Sequence, residues 1–452
     1  MKYSAMAAAL LQLPGCTRLG FKKLMESPRR PRPIAPGAKI RIAQIGLGGV
    51  GGGDVKACSE EDVVALCDVD WSLTKVQEVS DKFPQARHFT DFREMLLEMD
   101  DQIDAVVIST PDHMHFLPAF MAIAMGKHVY VQKPLTQTVE EARLLLELAR
   151  QHGVCTQMGN QGHSNEGTRL VREWVQGGVI GQVREVHVWT NRPVWPQGMT
   201  ERAAAEPLPK DLNWNAWLGR APERPFSNAY HPFKWRGWRD FGAGALGDMG
   251  CHLLDASFWA LDLATPTLIT AESSGITAEA YPEWSRITYE FPARGALPPV
   301  TVKWSDGGKL PERPAELETD RELNKGGQIL IGDKGVIYDA NDYCNSPRLI
   351  PESKMAAMKG KLPPKTLPRI PKGNHHGNWL EAIRLNKPAH AVSNFEYSVP
   401  LTEMVVLGNL ALFGNGRVEW DAKNRQVAND PTLNQYLQPA YRSGWNPKDL
   451  HV

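Results

Sequence analysis

Residues 40–53 read Ile40-Arg-Ile-Ala-Gln-Ile-Gly46-Leu-Gly48-Gly49-Val-Gly51-Gly52-Gly53, an apolar run with β-branched residues that ends in a knot of glycines. This is the pattern of a buried parallel strand that turns into a helix beneath a dinucleotide. Gly46 suits the tight turn, Gly48 lets a pyrophosphate approach the backbone, and Gly51 lets the helix pack close to the strand. The free N–H groups and dipole of that helix then face phosphate charge, with Leu47, Gly49 and Val50 lying along the same turn. Val63-Val-Ala-Leu-Cys-Asp68 reads as the next strand. It ends in an acid about 20 residues past the first glycine, where a ribose 2′-hydroxyl needs an acceptor.

Outward from this unit, strand and helix patterns alternate. Helices are expected at Asp70 to Lys82, Phe92 to Glu98, Phe116 to Met125 and Val139 to His152, and strands at Ile103–Ser109, His128–Val131 and Val154–Met158. Strands separated by helices imply a parallel sheet covered on both faces. After Gly162 the texture changes. A helix is expected at Thr168–Gln176, a half-buried strand at Val183–Thr190, and a long aromatic loop over residues 192–235. Leu268–Ser274, Ser285–Phe291, Val300–Trp304, Gln328–Ile331 and Gly335–Asp339 are spaced like meandering antiparallel strands. Residues 347–372 read as an exposed loop, Asn378–Leu385 and Thr402–Phe413 as helices, and the polar tail from Asp421 receives no role. The resulting division is a leader and linker (1–38), a Rossmann domain (39–160), an α+β domain (161–425) and a tail (426–452).

The chain has 452 residues, ample for two or three domains. Acidic and basic residues balance at 51 each, so no basic field points to nucleic acid or an anionic membrane. No run reaches the length that spans a bilayer. Lys2 and the short apolar run Ala5 to Leu13 lead into Leu13-Pro14-Gly15-Cys16, which resembles a bacterial lipoprotein signal. Export and a cytoplasmic location therefore both stay open. Residues 28–36, rich in Pro and Arg, read as a linker. None of the six cysteines forms a C-x-x-C pair. Ten of the 14 tryptophans lie between Trp174 and Trp304, and core or interface packing accounts for most of them.

Chemistry-bearing motifs fall at strand ends, where open parallel sheets hold ligands. Ser109-Thr110-Pro111-Asp112-His113-Met-His115 follows one strand and Gln132-Lys133-Pro134 the next. Held beside a nicotinamide, Lys133 is a ready donor to a substrate hydroxyl and favours its alkoxide; taken alone, the dipeptide fits an ordinary surface lysine before a proline better. His113 and His115 lack a matching Cys or acid cluster, so no metal is expected. In Gly247-Asp248-Met-Gly250-Cys-His252-Leu-Leu-Asp255, Asp248 and His252 share a helical face. That spacing fits an acid that orients a general base. It equally fits a capping acid beside a core histidine.

These motifs, in this order over roughly residues 39–425, resemble the Gfo/Idh/MocA oxidoreductase family. The resemblance implies a Rossmann domain followed by an α+β domain with a large, open, mostly antiparallel sheet, and homodimers or homotetramers formed through that sheet. It implies NAD rather than NADP as cofactor and a carbohydrate or polyol as small-molecule substrate. Lys133, Asp248 and His252 match the family's catalytic set. Thr110, Pro111, His115, Gln132 and Gln161 join the glycine turn and Asp68 as cofactor contacts. Family members usually carry Glu-Lys-Pro where this chain has Gln132-Lys-Pro; glutamine keeps hydrogen-bonding capacity but loses the charge. Two rivals to a dehydrogenase remain: an NAD-dependent glycosidase working through transient oxidation, and a sugar-binding protein without activity.

Overall fold

A computed structural model describes residues 27–450. Cys16 and the apolar run before it lie outside the described residues. The first domain alternates as expected: β1 (Arg41–Ile45), α1 (Val50–Ala57), β2 (Asp62–Cys67), α2 (Thr74–Ser80), β3 (Arg87–Phe89), α3 (Phe92–Glu98), β4 (Ala105–Ile108), α4 (Phe116–Ala124), β5 (His128–Val131), α5 (Val139–His152) and β6 (Thr156–Met158). The six strands are parallel, in the order β3-β2-β1-β4-β5-β6. The order reverses between β1 and β4, so a crevice opens beyond their carboxyl ends. The helix expected from Asp70 begins only at Thr74. Asp70 instead turns its carboxylate onto the Ser72 amide at 3.1 Å, a local bond that competes with helix.

The second domain follows with α6 (Glu166–Gln176), β7 (Val183–Trp189), α7 (Trp214–Leu218), α8 (Gly244–Leu253), α9 (Asp255–Ala260), β8 (Leu268–Ser273), β9 (Ser285–Phe291), β10 (Val300–Ser305), β11 (Gly327–Gly332), β12 (Gly335–Asp339) and β13 (Arg348–Ile350). Then come α10 (Glu352–Ala357), α11 (His375–Leu385), α12 (Phe395–Phe413), β14 (Arg417–Asp421) and β15 (Gln426–Val427). Nine strands form one sheet in the order β13-β12-β11-β7-β10-β9-β8-β14-β15, antiparallel except for the β7–β10 pair. This is the α/β-plus-α+β architecture expected from the pattern. Among the described residues no helix is long and apolar enough to cross a membrane.

Three stretches depart from expectation. Residues 347–372 are not all loop: Leu349 and Ile350 are fully buried as β13 pairs with β12, and α10 follows. The helix expected from Thr402 begins at Phe395, capped by the Asn394 side chain, and runs through Pro400 in its second turn. The proline there removes only one backbone donor, and the surrounding apolar residues keep the helix buried. The tail is also anchored. Leu433, Leu437, Trp445 and Leu450 are buried, and the Arg93 guanidinium lies 3.9 Å over the Trp445 ring. At the other end, residues 28–36 lie along the first domain, with Arg32 paired to Asp104 at 2.7 Å.

The aromatic loop has a core of its own. Leu212, Trp217, Phe226, Tyr230, Trp235, Trp238 and Phe241 pack together, so most of these rings are structural filler. The glycine turn itself is sterically tight: a Cβ on Gly51 would lie 2.1 Å from the Gly46 carbonyl oxygen, whereas a Cβ on Gly53 would meet nothing within 4 Å. Gly51→Ala should therefore destabilise the protein by about 1–3 kcal/mol. Gly53→Ala, inside α1, should be neutral or stabilising by up to about 1 kcal/mol. Urea unfolding of both variants checks the contrast, and equal effects would contradict the close approach at Gly51.

Candidate active site

A cleft of about 690 Å³ lies beyond the carboxyl ends of β1, β4 and β5. Its first wall is the glycine turn, with Gly46, Gly48, Gly49 and Val50, together with Asp68. Thr110, Pro111, His115, Gln132 and Lys133 continue that wall, and Asp248 faces them from the second domain. A Cβ on Gly48 would meet nothing within 4 Å, so the backbone there is open to a ligand. The helix α1 starts after Gly49, which has no side chain to cap it; the Gly51 amide turns back to the Gly48 carbonyl at 3.0 Å, and no side chain caps the helix start against an anion. These features fit a dinucleotide phosphate. Asp68 ends β2 with Oδ2 accepting from the Leu47 amide at 2.7 Å and Oδ1 from the Asp70 amide at 3.0 Å. Each oxygen keeps a lone pair for a ribose hydroxyl.

Leu47, Gly51, Gln161 and His252 do not line the cleft. The Leu47 side chain is buried with Val55, Leu66 and Val76, and only its amide serves the turn. Gly51 faces the Gly46 carbonyl. Gln161 opens a 3₁₀ turn over Gln161–Ser164. His115 braces two loops instead of reaching outward: Nδ1 is 2.7 Å from the Pro134 carbonyl and Nε2 2.9 Å from that of Thr110. Burial pushes its imidazole down to about 4, against the pull of those two carbonyls.

Two of the three catalytic candidates, Lys133 and Asp248, meet, and His252 stands apart from them. Lys133 Nζ donates to Asp248 Oδ1 and to the Asp248 carbonyl, both at 2.9 Å. Asp248 lies inside α8, which starts at Gly244, so it is not an N-cap. Its Oδ1 also receives Arg236 Nε at 3.4 Å. Burial opposes the charged carboxylate, yet Lys133 and Arg236 together outweigh it and hold Asp248 at about 2. Both cations meet Oδ1, and no hydrogen bond joins Asp248 to His252. The His252 ring sits edge-on to Tyr343, 4.8 Å between centroids, with a buried Nδ1 that has no partner. Burial first, and the Lys133 charge second, push it down to about 3, so the ring is neutral.

Three further residues were not legible in the spacing. Arg236 lies in the aromatic loop and is pressed against the rings of Trp235 and Phe233 at 4.2 and 4.8 Å. His231 lines the cleft and bonds Asp70 Oδ2 at 2.7 Å. Asp112 was visible within its motif, but nothing marked its charge. Oδ2 accepts from the Ala243 amide at 2.9 Å, and burial pushes the carboxyl up to about 7 despite Lys133 and Arg236.

Two family models match the chain. One, described as an oxidoreductase family, NAD-binding Rossmann fold, covers residues 40–160; the other, an oxidoreductase family C-terminal alpha/beta domain, covers 167–297. D-glucoside 3-dehydrogenase of Escherichia coli (strain K12) is 26% identical over 324 residues, which is 68% of this chain and 79% of the relative. Inositol 2-dehydrogenase of Pseudomonas fluorescens (strain SBW25) is 27% identical over 187 residues, 40% of this chain and 54% of the relative. That second match spans about half of the relative's length. The WlbA dehydrogenase from Bordetella pertussis, solved in complex with NADH and UDP-GlcNAcA, shares the fold with a TM-score of 0.60 at 17% identity, covering 86% of this chain and 100% of that one.

Asp112 supplies a pH test. An unfolded carboxyl titrates near 3.9, so the unfolded chain ionises first as pH rises. Stability is then lost between about pH 4 and the folded value of about 7, and the full penalty persists above it. Asp112→Asn should therefore gain stability relative to the unaltered protein as pH moves from about 5 to about 8. Urea midpoints at both pH values measure this, and an unchanged difference would remove the buried charge from the account.

Proposed function

The chain belongs to the Gfo/Idh/MocA oxidoreductase family, with an NAD-binding Rossmann domain, and from that premise we propose that it moves hydride between a sugar, polyol or glycoside hydroxyl carbon and NAD. One observation carries the reading: the Lys133 ammonium, held by Asp248, opens onto the same cleft as the glycine turn and Asp68. When bound, the nicotinamide supplies the site that accepts or returns hydride. Two Lys133 donors go to Asp248, which leaves the third for a substrate oxygen. Donation to that oxygen stabilises developing alkoxide charge. His252 takes the hydroxyl proton in this scheme. Its ring is neutral, as an acceptor must be, but burial makes it a weak base and it stands behind the cleft wall, so this scheme requires the ring to turn toward the substrate. Trp217, Trp235 and Phe233 contribute apolar surface to the cleft that suits the C–H face of a pyranose or cyclitol. The names of the two dehydrogenase relatives, a glucoside and an inositol enzyme, support the same substrate class.

Asp112 favours a second reading, transient oxidation followed by glycoside cleavage. A carboxyl pushed up to about 7 can take the acidic C–H proton beside a new carbonyl as the aglycone oxygen leaves with that proton; water adding to the resulting unsaturated ketone and return of the hydride to the carbonyl would complete net hydrolysis. Aglycone release without net NADH would select this reading. A bound nicotinamide that no sugar reduces would leave only binding.

The decisive experiment is mass spectrometry for co-purified NAD, followed by a sugar, polyol and glycoside panel read at the NADH absorbance. Lys133→Ala should lower turnover by roughly 10²–10³-fold with little change in NADH affinity. Near-normal turnover would take Lys133 out of the mechanism. A 2′-phosphate would bring negative charge against Asp68, so Asp68→Ser should weaken NAD more than NADP. Fluorescence titration of both reduced cofactors reports the ratio, and an unchanged ratio counts against that role.

A further inference from the structure

Beneath the lysine end of the cleft lies a carboxylate that the scheme above does not use. Asp54, on α1, is only 2% exposed, and its one charged or chargeable side-chain partner among the described residues is His376. Oδ1 accepts from His376 Nε2 at 3.0 Å. Oδ2 accepts from Ser109 Oγ at 2.7 Å, at the end of β4, and from Gln132 Nε2 at 2.8 Å, at the end of β5. Gln44 Nε2 completes the group, donating to Ser109 Oγ at 3.0 Å and to the Gly46 carbonyl at 2.8 Å. One carboxylate thus connects the glycine turn to the residue just before Lys133.

The chemistry of the pair orients Gln132. A carboxylate only accepts, so the amide nitrogen must face Asp54 and the carbonyl oxygen must face away. That oxygen has one protein donor, the Lys133 amide at a long 3.4 Å, and Gln132 lines the cleft. It therefore keeps accepting capacity for a ligand. A glutamate at 132 would put two carboxylates within hydrogen-bonding distance, and one of them would have to hold a proton.

We propose that Asp54 is a positioning residue of this site: it supplies the negative charge that Gln132 lacks and locks Gln132 with its carbonyl oxygen offered to an N–H or O–H donor of the dinucleotide's nicotinamide riboside half. The inference rests on the cofactor reading of the cleft. It makes Gln132 and Asp54 a matched pair whose charge sits on the helix of the glycine turn and not on the strand end.

Three variants test it: Gln132→Glu, Asp54→Asn and the double variant, each compared with the unaltered protein by NADH fluorescence titration and thermal unfolding. The ionisable groups facing Asp54 are His376, Tyr130 and Cys58, with Lys133 next to Gln132 in the chain. Burial keeps Tyr130 and Cys58 neutral; His376 bonds Asp54 directly and feels every change of charge there, so the pH comparison is repeated in a His376→Gln background. Gln132→Glu should lose NADH affinity at least roughly tenfold near pH 8.5 and regain it toward pH 5.5, as the carboxylate pair takes up a proton. Asp54→Asn should weaken binding without that pH dependence. The double variant restores one carboxylate and one amide, so it should recover most of the affinity and of the melting temperature. Losses that simply add in the double variant, or a Gln132→Glu protein that binds like the unaltered one at both pH values, overturn the pairing. If the unaltered protein binds no NADH, the cofactor reading fails and the offered carbonyl with it, while additivity in the melting temperatures separately decides whether the two side chains are coupled.

Discussion

Lys133 meets Asp248 at 2.9 Å across the boundary between the two domains, with both side chains largely shielded from solvent. A lone charge at that depth costs several kcal/mol, and removing one partner of such a pair typically costs about 3–5 kcal/mol. The end of β5 and the helix α8 are therefore not free to separate. Arg236 shares the same carboxylate, so two cations face one firm anion. Asp112 does not neutralise the excess, because burial keeps its carboxyl partly protonated near neutral pH. The resulting positive excess is the electrostatic setting an alkoxide needs, and it costs no reorganisation at the moment of reaction.

The loop after β2 serves the cleft from both sides. Asp68 turns inward to the Leu47 amide and fixes the glycine turn. Two residues later Asp70 turns outward to His231, while the Asn213 amide bonds the Val69 carbonyl at 2.8 Å. The aromatic segment is thereby docked on the loop that carries the ribose candidate. Trp217 and the run from His231 to Arg236 become the second wall of the cleft. Its only regular structure there is α7 and a 3₁₀ turn over Lys234–Gly237, so its own aromatic core holds the wall in place.

Periodicity and glycine made the strands, the parallel sheet and the turn readable, because each is a local consequence of local sequence. The pairing within the site was not. Spacing on α8 puts Asp248 beside His252, and nothing in that spacing reveals a lysine brought in from another domain whose full charge outcompetes a neutral imidazole. Asp54 was hidden inside a glycine-rich helix, with its partners 55, 78 and 322 residues away. The short strands β3 and β13 were missed because each sits among charged and proline residues without the apolar run that marked the equally short β6. The tail was missed because Leu433, Leu437, Trp445 and Leu450 are scattered among polar residues and acquire meaning only against the rest of the fold.

The helix α11 shows why the polar and apolar parts of this design cannot be separated. Parallel strands must be covered on both faces. Ile40, Ile42, Ala105, Val107 and Tyr130 present one face of the first sheet, and Trp379, Leu380 and Ile383 of α11 cover it. The cover thus comes from a segment more than 200 residues beyond β6. Its first turn carries His376, whose ring stacks on Tyr130 at 4.3 Å and whose Nε2 meets Asp54. The apolar contact that seals the sheet is what delivers a donor to the buried carboxylate. Ser109 and Gln132 serve one oxygen of Asp54 from within the first domain, but the other gains its donor only when the chain has returned there, so the cleft takes its final geometry from the closing of the whole fold.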